Sequence, residues 1–466
     1  MQIKDSIENK KSLNILLTYY CNNKCKYCFN PISQYASDEK NIFMSVENFR
    51  YVLDFLKINK IKEVRLLGGE PLIHPDLRTI FELIIKEKYF NSVTIFTNGI
   101  FSHKTRDYLI KLKKRIYVYL VLNLNHPTEY SKKKYNLILD NLEFLKDNLF
   151  EISISYNIYQ RNFDYEYLFE TCRNYGIRTI RVCIANPDSE NKNEILSRVE
   201  RKKIGKRLFS FCIKAYENQI KILFDCTVPL CILSDDQLGK LVKIGGFSSY
   251  IFGVCSPAID VDPFLNVFRC FPTNKIISRS LKGVNSIKKL NLFFYKEIDF
   301  YKWQIIDEKC KKCDYFRLRT CQGDCIGFKS KRIIDLKKKR TIANNCFRLA
   351  RRDLKRKLYN DAILKFESGL KTYKYDITAI CDYIFILIKT NQFTKAISKY
   401  KYFEDILDSD YNGLSLYIKG LVYELQKRHN DAIISYRRAL GFINSSINNE
   451  CLKRIKYLKS NKQRIG

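Results

Sequence analysis

The sequence predicts an α/β protein in which parallel strands are joined by crossover helices. A cysteine-rich, loop-dominated segment follows, and then an all-α region of repeats. Three observations carry this reading. Short β-branched or aromatic runs alternate with amphipathic stretches up to about residue 187. From about 223 to 346, turn residues and cysteines dominate. After about 350 the pattern is helical and repeats itself.

Six strands are expected, at Leu13–Thr18, Glu63–Leu67, Ser92–Thr97, Ile116–Leu122, Ile152–Ile158 and Thr179–Ile184. VENFRYVLDFLKIN and LRTIFELIIKEKY lie between the first three and carry an apolar helical face. Six such units fit a curved, partly closed barrel. They also fit an open doubly wound sheet, and spacing alone does not choose. Residues 188–222 are charged and helical in pattern. Next come DCTVPLC, CSPAIDVDPFLNVFRCFP and CKKCDYFRLRTCQGDC, a composition suited to stapling by metal rather than by a large apolar core. In the last part, DAILKFESGL, KAISKYKYF and DAIISYRRAL align Ala362, Ala396 and Ala432, with Phe366, Tyr400 and Tyr436 each four residues on. Gly420 and Tyr423 fall where a preceding helix needs them. This resembles tetratricopeptide repeats. The expected domains are 1–215, 216–350 and 351–466.

With 466 residues, 46% of them hydrophobic, the chain can bury two or three cores. MQIKDSIENKKS is too polar for a signal peptide, and the apolar runs near 116 and 384 fall short of the ~18 residues that span a membrane. A soluble, cytoplasmic protein without membrane partners is expected. The formal charge of +34 comes from lysines spread along the whole chain. Such a spread serves solvation and weak non-specific attraction. No basic motif with interleaved aromatics points to RNA, so a nucleic-acid partner is not expected. Seventeen cysteines in a reducing compartment suggest metal binding or chemistry instead.

Cys21, Cys25 and Cys28 lie within eight residues, directly after the first expected strand. A structural zinc site takes four ligands, and disulfides take an even number. Three thiolates can hold three irons of a [4Fe–4S] cluster and leave the fourth iron to a non-protein ligand. Tyr27 precedes the last cysteine. The next strand runs into Gly68-Gly69-Glu70-Pro71. Glycines there let backbone approach a ligand closely, and the Glu70 carboxylate suits an ammonium. The third strand ends in Thr97-Asn98-Gly99.

In this order, the three motifs resemble the radical SAM superfamily. The resemblance implies a partial (β/α)6 barrel. It implies a cluster on Cys21, Cys25 and Cys28 whose open iron chelates S-adenosylmethionine, with Tyr27 by the adenine and Gly68, Gly69 and Glu70 at the methionine amino group. Asn98 joins them as part of the third motif, and Asn123 sits where relatives place a polar residue for the ribose or carboxylate; Asn123 as a turn cap is an equal alternative. The implied chemistry is reductive cleavage of S-adenosylmethionine to a 5′-deoxyadenosyl radical that abstracts a substrate hydrogen. An external one-electron reductant of the flavodoxin or ferredoxin type is implied with it.

Further along, Cys255, Cys270, Cys310, Cys313, Cys321, Cys325 and Cys346 follow the order of the SPASM extension of radical SAM peptide-modifying enzymes. That extension implies two auxiliary [4Fe–4S] clusters. By position Cys310, Cys313, Cys321 and Cys346 hold the distal one. Cys255, Cys270 and Cys325 hold the proximal one, which is then a ligand short. Cys231 or Cys226 is expected to close it. Three departures stand out: Leu265 at the usual glycine, seven residues rather than five between Cys313 and Cys321, and Asp324 for glycine in CQGDC. Zinc is the competing metal. Cys172, Cys183, Cys212, Cys381 and Cys451 stand alone and are read as structural. His74, His103, His126 and His429 form no cluster and are given no catalytic work.

The expectation is therefore an enzyme that modifies or matures a peptide or protein, whose leader, if acidic, would suit the basic chain. With the first strand near residue 13, leader capture falls to the repeats or to a separate protein. A radical SAM enzyme acting on RNA or a small molecule is the alternative, followed by a non-catalytic assembly protein.

Overall fold

The computed structural model describes residues 12–30, 42–188, 192–244, 253–255, 258–408, 413–441 and 445–462. Most of the polar N-terminal stretch thus lies outside the described residues.

Packing divides the chain into two compact units, Met1–Ser330 and Lys331–Gly466. The first is built on a ten-stranded sheet. Strands β1 (Leu13–Leu16), β2 (Glu63–Leu67), β3 (Ser92–Thr97), β4 (Tyr117–Asn123), β5 (Glu151–Ile158), β6 (Thr179–Ile184) and β7 (Lys221–Phe224) lie side by side in sequence order. All of these neighbours are parallel. Helices α1 (Val46–Ile58), α2 (Leu77–Glu87), α3 (His103–Lys113), α4 (Lys132–Asp147) and α5 (Glu166–Tyr175) make the first five crossovers. α6 (Arg198–Lys203) and α7 (Gly205–Glu217) make the sixth. A doubly wound sheet reverses its strand order at a switch point. Here every crossover steps the same way, and right-handed crossovers then lay their helices on one face. That is the winding of a barrel, left open in this chain.

The sheet also runs past the boundary expected at 215/216. β7 continues it at one end. At the other, β8 (Ile259–Val261) pairs parallel with β1, and β9 (Asn266–Phe268) and β10 (Arg279–Ser280) follow antiparallel. These strands run four residues or fewer, too short for periodicity to show in sequence. The six expected strands lie where predicted, within two residues at either end.

Local chemistry explains the register. Ser45, Ser102 and Ser131 each accept a backbone N–H in the first turn of α1, α3 and α4. The strands bury apolar side chains on both faces in places, as in β1 (Ile15 and Leu16) and β4 (Leu120, Val121 and Leu122).

In the second unit, Ser330–Lys355 leads into helices Tyr359–Thr372, Ile377–Lys389, Phe393–Leu407, Leu414–Leu425, His429–Ala439 and Ser445–Lys462. Ala362, Ala396 and Ala432 are fully buried, and the aromatics one turn on, Phe366, Tyr400 and Tyr436, are buried too. A Cβ on Gly420 would stand 2.3 Å from the Tyr436 ring, so glycine sets that helix spacing. Among the described residues no helix is long and apolar enough to cross a membrane.

Candidate active site and thiol clusters

The residues singled out in the first unit gather where the parallel strands end. The cysteine loop follows β1, Gly68–Glu70 follow β2, and Asn98 follows β3. Asn123 closes β4, and Asn157 stands near the end of β5. The carboxyl end of a parallel sheet is where loops from several strands can converge on one ligand.

Gly69 has a structural reason besides the one its sequence context suggests. A Cβ there would stand 2.0 Å from the Tyr20 carbonyl oxygen. The backbone it must approach is the chain's own: Gly69 N–H donates to Thr18 O at 2.7 Å and Glu70 N–H to Tyr20 O at 2.8 Å. The glycine thereby docks the end of β2 against the start of the cysteine loop.

Glu70 is fully buried. Its Oε1 accepts the Leu72 N–H (3.0 Å) and the Thr97 hydroxyl (2.8 Å), and its Oε2 accepts the Asn98 N–H (2.6 Å). Burial pushes its carboxyl up to about 7 against these donors. A carboxylate has about four acceptor directions, so one on Oε2 remains for an ammonium.

Asn98 continues the chain of contacts. Its Nδ2 donates to Asn22 Oδ1 (2.8 Å) and lies 3.5 Å from Cys21 Sγ. Asn23 donates to Cys21 through its backbone and to Cys25 through its side chain, both at 3.4 Å. Asn125 reaches Cys25 Sγ at 3.5 Å. Tyr27 is buried, and its hydroxyl joins Asn123 and Asn125. Asn157 donates to Asn123 Oδ1 at 2.9 Å. Asn123 is therefore a link between the cysteine loop and β5, not a turn cap. Sequence reasoning missed Asn125 and Asn157. Their signal was only an asparagine at or just after a strand end.

These groups fit an iron–sulfur cluster. Burial pushes the Cys21 thiol up to about 12 and the Cys25 thiol to about 11, so ionising them calls for a cation. Amide N–H groups already aim at both sulfurs, the donors a thiolate takes.

The second thiol field forms two sets. Cys226, just after β7, interacts electrostatically with Cys255, Cys270 and Cys325. It is also hydrogen-bonded to Cys183 of β6, so Cys183 does not stand alone. Cys231 does not join that set; it interacts with Cys310 and Cys321, beside Cys313. Cys346 lies half-buried on the Ser330–Lys355 helix, in the second unit. Among the described residues no three of His, Cys, Asp and Glu are grouped as a single metal ion would need. A cluster body holds its thiolates farther apart than one zinc does.

Buried charges also lie around the first set. Asp299 pairs with both Arg269 (2.8 Å) and Lys302 (2.9 Å), all three nearly fully buried. Lys302 Nζ donates to the Cys255 carbonyl at 2.9 Å. Lys329, also buried, donates to two backbone carbonyls, and burial lowers it to about 8. Asp260 also acts on Cys270, whereas the thiol that Lys329 acts on is Cys310 of the second set.

Two departures from the expected motif are accommodated locally. Leu265 takes the left-handed conformation (φ 64°) in place of glycine, and its side chain is buried. Asp324 also takes a positive φ and forms a buried ion pair with Arg201 at 2.8 Å.

The radical SAM superfamily model matches residues 15–173. Two similar curated proteins are a GTP 3′,8-cyclase of Aquifex aeolicus (strain VF5) and the antilisterial bacteriocin subtilosin biosynthesis protein AlbA of Bacillus subtilis (strain 168). The first is 37% identical over 92 residues, 20% of this chain and 28% of that protein. The second is 26% identical over 152 residues, 31% of this chain and 33% of that protein. The chain thus spans about a third or less of the length of these relatives. Among solved structures, Streptococcus suis SuiB bound to S-adenosylmethionine superposes at a TM-score of 0.48 and 16% identity, over 68% of this chain and 73% of that one. Residues 15–173, with the cysteine loop, Glu70 and the asparagines at the strand ends, are a radical SAM domain, of the family that uses a [4Fe–4S] cluster and S-adenosylmethionine.

Proposed function

We propose that the chain is a radical SAM enzyme of the SPASM type, acting on a peptide or protein. The observation that carries the enzyme reading is the unbroken set of contacts from Glu70 through Asn98 to Cys21, across the ends of β1, β2 and β3. Cys21, Cys25 and Cys28 would hold the catalytic cluster. Cys226, Cys255, Cys270 and Cys325 would hold one auxiliary cluster, and Cys310, Cys313 and Cys321 would serve a second. When bound, the cluster and S-adenosylmethionine supply the electron and the 5′-deoxyadenosyl radical that takes a substrate hydrogen atom. The protein's part is positional. Glu70 fixes the loops after β2 and β3 and offers its remaining acceptor direction to the methionine ammonium. Asn23, Asn98 and Asn125 hold the sulfurs with N–H donors. Tyr27, buried against Tyr159, closes the loop over Asn123 and excludes water.

The peptide reading draws on the AlbA relative, whose name places it in bacteriocin biosynthesis, and on the second thiol field. The GTP cyclase relatives favour a small-molecule alternative, but their match covers about 92 residues, a fifth of this chain. The helical unit would serve a protein partner, and a flavodoxin- or ferredoxin-type protein would supply the electron.

The test uses the full chain reconstituted without oxygen, with dithionite and S-adenosylmethionine. 5′-Deoxyadenosine should form, and Cys28→Ala should abolish it. A peptide substrate should then change in mass only when S-adenosylmethionine and reductant are both present. Stimulation of cleavage by GTP alone, with no peptide changed, would remove the peptide reading.

A further inference from the structure

Cys226 and Cys231 are five residues apart, yet they face different thiol sets. The segment between them is pinned on both sides. The Gly253 carbonyl accepts the Thr227 hydroxyl at 3.0 Å and the Gln322 N–H at 2.8 Å, so the segment lies against the Cys321–Cys325 turn. The Leu230 N–H donates to the Cys321 sulfur. Downstream, the Tyr315 hydroxyl meets Asp235 at 2.5 Å. A Cβ on Gly205 would stand 2.0 Å from the Ile232 carbonyl, so the Leu230–Ile232 turn packs directly on helix α7.

This turn carries Cys231 to the set formed by Cys310, Cys313 and Cys321, and its thiol interacts with Cys310 and Cys321. On the other side, the Gly323 N–H donates to Cys321 Sγ at 3.4 Å, and a Cβ on Gly323 would crowd Cys310 Sγ at 3.1 Å. Gly323 (φ 85°) thus seats that side of the set.

We propose that Cys231 is the fourth thiolate of the distal auxiliary cluster, with Cys310, Cys313 and Cys321. This rests on the auxiliary-cluster reading above. Cys226 then completes the proximal set, and both auxiliary clusters are held by eight cysteines of the first unit. Cys346, which positional analogy puts in the distal set, is not required as a ligand. The CxxxxC spacing from 226 to 231 acquires a purpose, since one short segment closes two clusters.

The experiment compares wild type, Cys231→Ala, Cys231→Ser and Cys346→Ala as full chains reconstituted without oxygen. Iron and sulfide per chain and the electron paramagnetic resonance of the reduced protein are read, with circular dichroism for folding. Three four-iron clusters give about twelve irons in wild type. Cys231→Ala should fall to about eight and lose one signal, or convert it to a three-iron signal. Cys231→Ser, an oxygen donor, should shift that signal without loss of fold. Cys346→Ala should keep all twelve. Loss of iron from Cys346→Ala with Cys231→Ala and Cys231→Ser unchanged would overturn the proposal. So would retention of every signal in all three variants. Wild type holding only about four irons would instead overturn the auxiliary-cluster reading itself, and this assignment with it.

Discussion

Glu70 accepts the Asn98 backbone N–H at 2.6 Å, while the Asn98 side chain reaches Cys21. A fully buried carboxyl thereby sets the position of an amide that faces a cluster ligand. Its folded-state value of about 7 lies above the ordinary 4.5. The folded chain therefore binds this proton more tightly than the unfolded chain. Stability from this group is present at low pH and lost as pH rises from about 4.5 through about 7. In chelator-treated protein, wild type should lose about 3 kcal/mol across that window relative to Glu70→Gln. Denaturant unfolding at pH 4.5 and pH 8 measures it, and parallel profiles for the two chains would refute it. In the loaded enzyme, Glu70→Gln should lower 5′-deoxyadenosine formation at least tenfold with iron retained.

Gly69→Ala should be among the most damaging single changes in the first unit. The added Cβ would meet backbone, the Tyr20 carbonyl at 2.0 Å, and no rotamer change can relieve that. Separating the β2 loop from the cysteine loop should cost about 3 kcal/mol and lower cluster incorporation. The midpoint of denaturant unfolding and the iron content should fall together.

How far this was legible in sequence depended on what kind of signal each part carried. β2 to β6, with five or more residues, were readable, and so was four-residue β1 because its apolar run continues to Leu17, whereas β7 to β10 at four residues or fewer were not. The cysteine loop, Gly68–Glu70 and Asn98 were readable because each motif is contiguous. The ring of Asn123, Asn125 and Asn157 was mostly not, because it joins side chains from two strands and a loop that only the fold brings together. The division of Cys226 from Cys231 was hidden for the same reason: which way a five-residue step faces depends on what packs against it, here Gly253, Gln322 and Gly205. The packing of Gly69 on Tyr20 was hidden because a glycine shows that something comes close, not what it is.

Tyr27→Phe removes the hydroxyl that holds Asn123 and Asn125 but keeps the ring packed on Tyr159. Two hydrogen bonds are lost inside a buried network, about 1–3 kcal/mol of positioning. Iron content should stay at the wild-type level, while S-adenosylmethionine binds several-fold more weakly in equilibrium dialysis. Unchanged affinity would mean that Asn123 and Asn125 are held by Asn157 and Tyr130 alone.

Asp324→Gly would restore the glycine common in the resembled motif, and it should nevertheless destabilise this chain. Arg201 is 1% exposed and pairs with Asp324 at 2.8 Å. Removing the carboxylate leaves a buried guanidinium without its counter-charge, which typically costs about 3–5 kcal/mol. The relief of a positive φ at Asp324 returns only about 1 kcal/mol. Arg201→Met combined with Asp324→Gly should recover much of the loss, a coupling that a double-mutant cycle reads directly.

Lys302→Met addresses the buried charges around the proximal thiols. Lys302 shares Asp299 with Arg269, so its removal leaves a balanced one-to-one pair rather than an orphan, and the fold should survive. What changes is the electrostatic environment of Cys255, whose carbonyl Lys302 contacts at 2.9 Å. A cation near a cluster favours its reduced, more negative state. At an effective dielectric of about 20 and some 8 Å, its loss is worth about 2 kcal/mol before solvent relaxation. That figure converts to roughly 90 mV for one electron, an upper value. The proximal cluster's midpoint potential should therefore move negative by tens of millivolts, with the catalytic cluster's unchanged. Asp299→Asn is the opposite change, and it should move the same potential positive. A redox titration that showed both variants shifting in one direction would mean that the three charges act on packing rather than on the cluster.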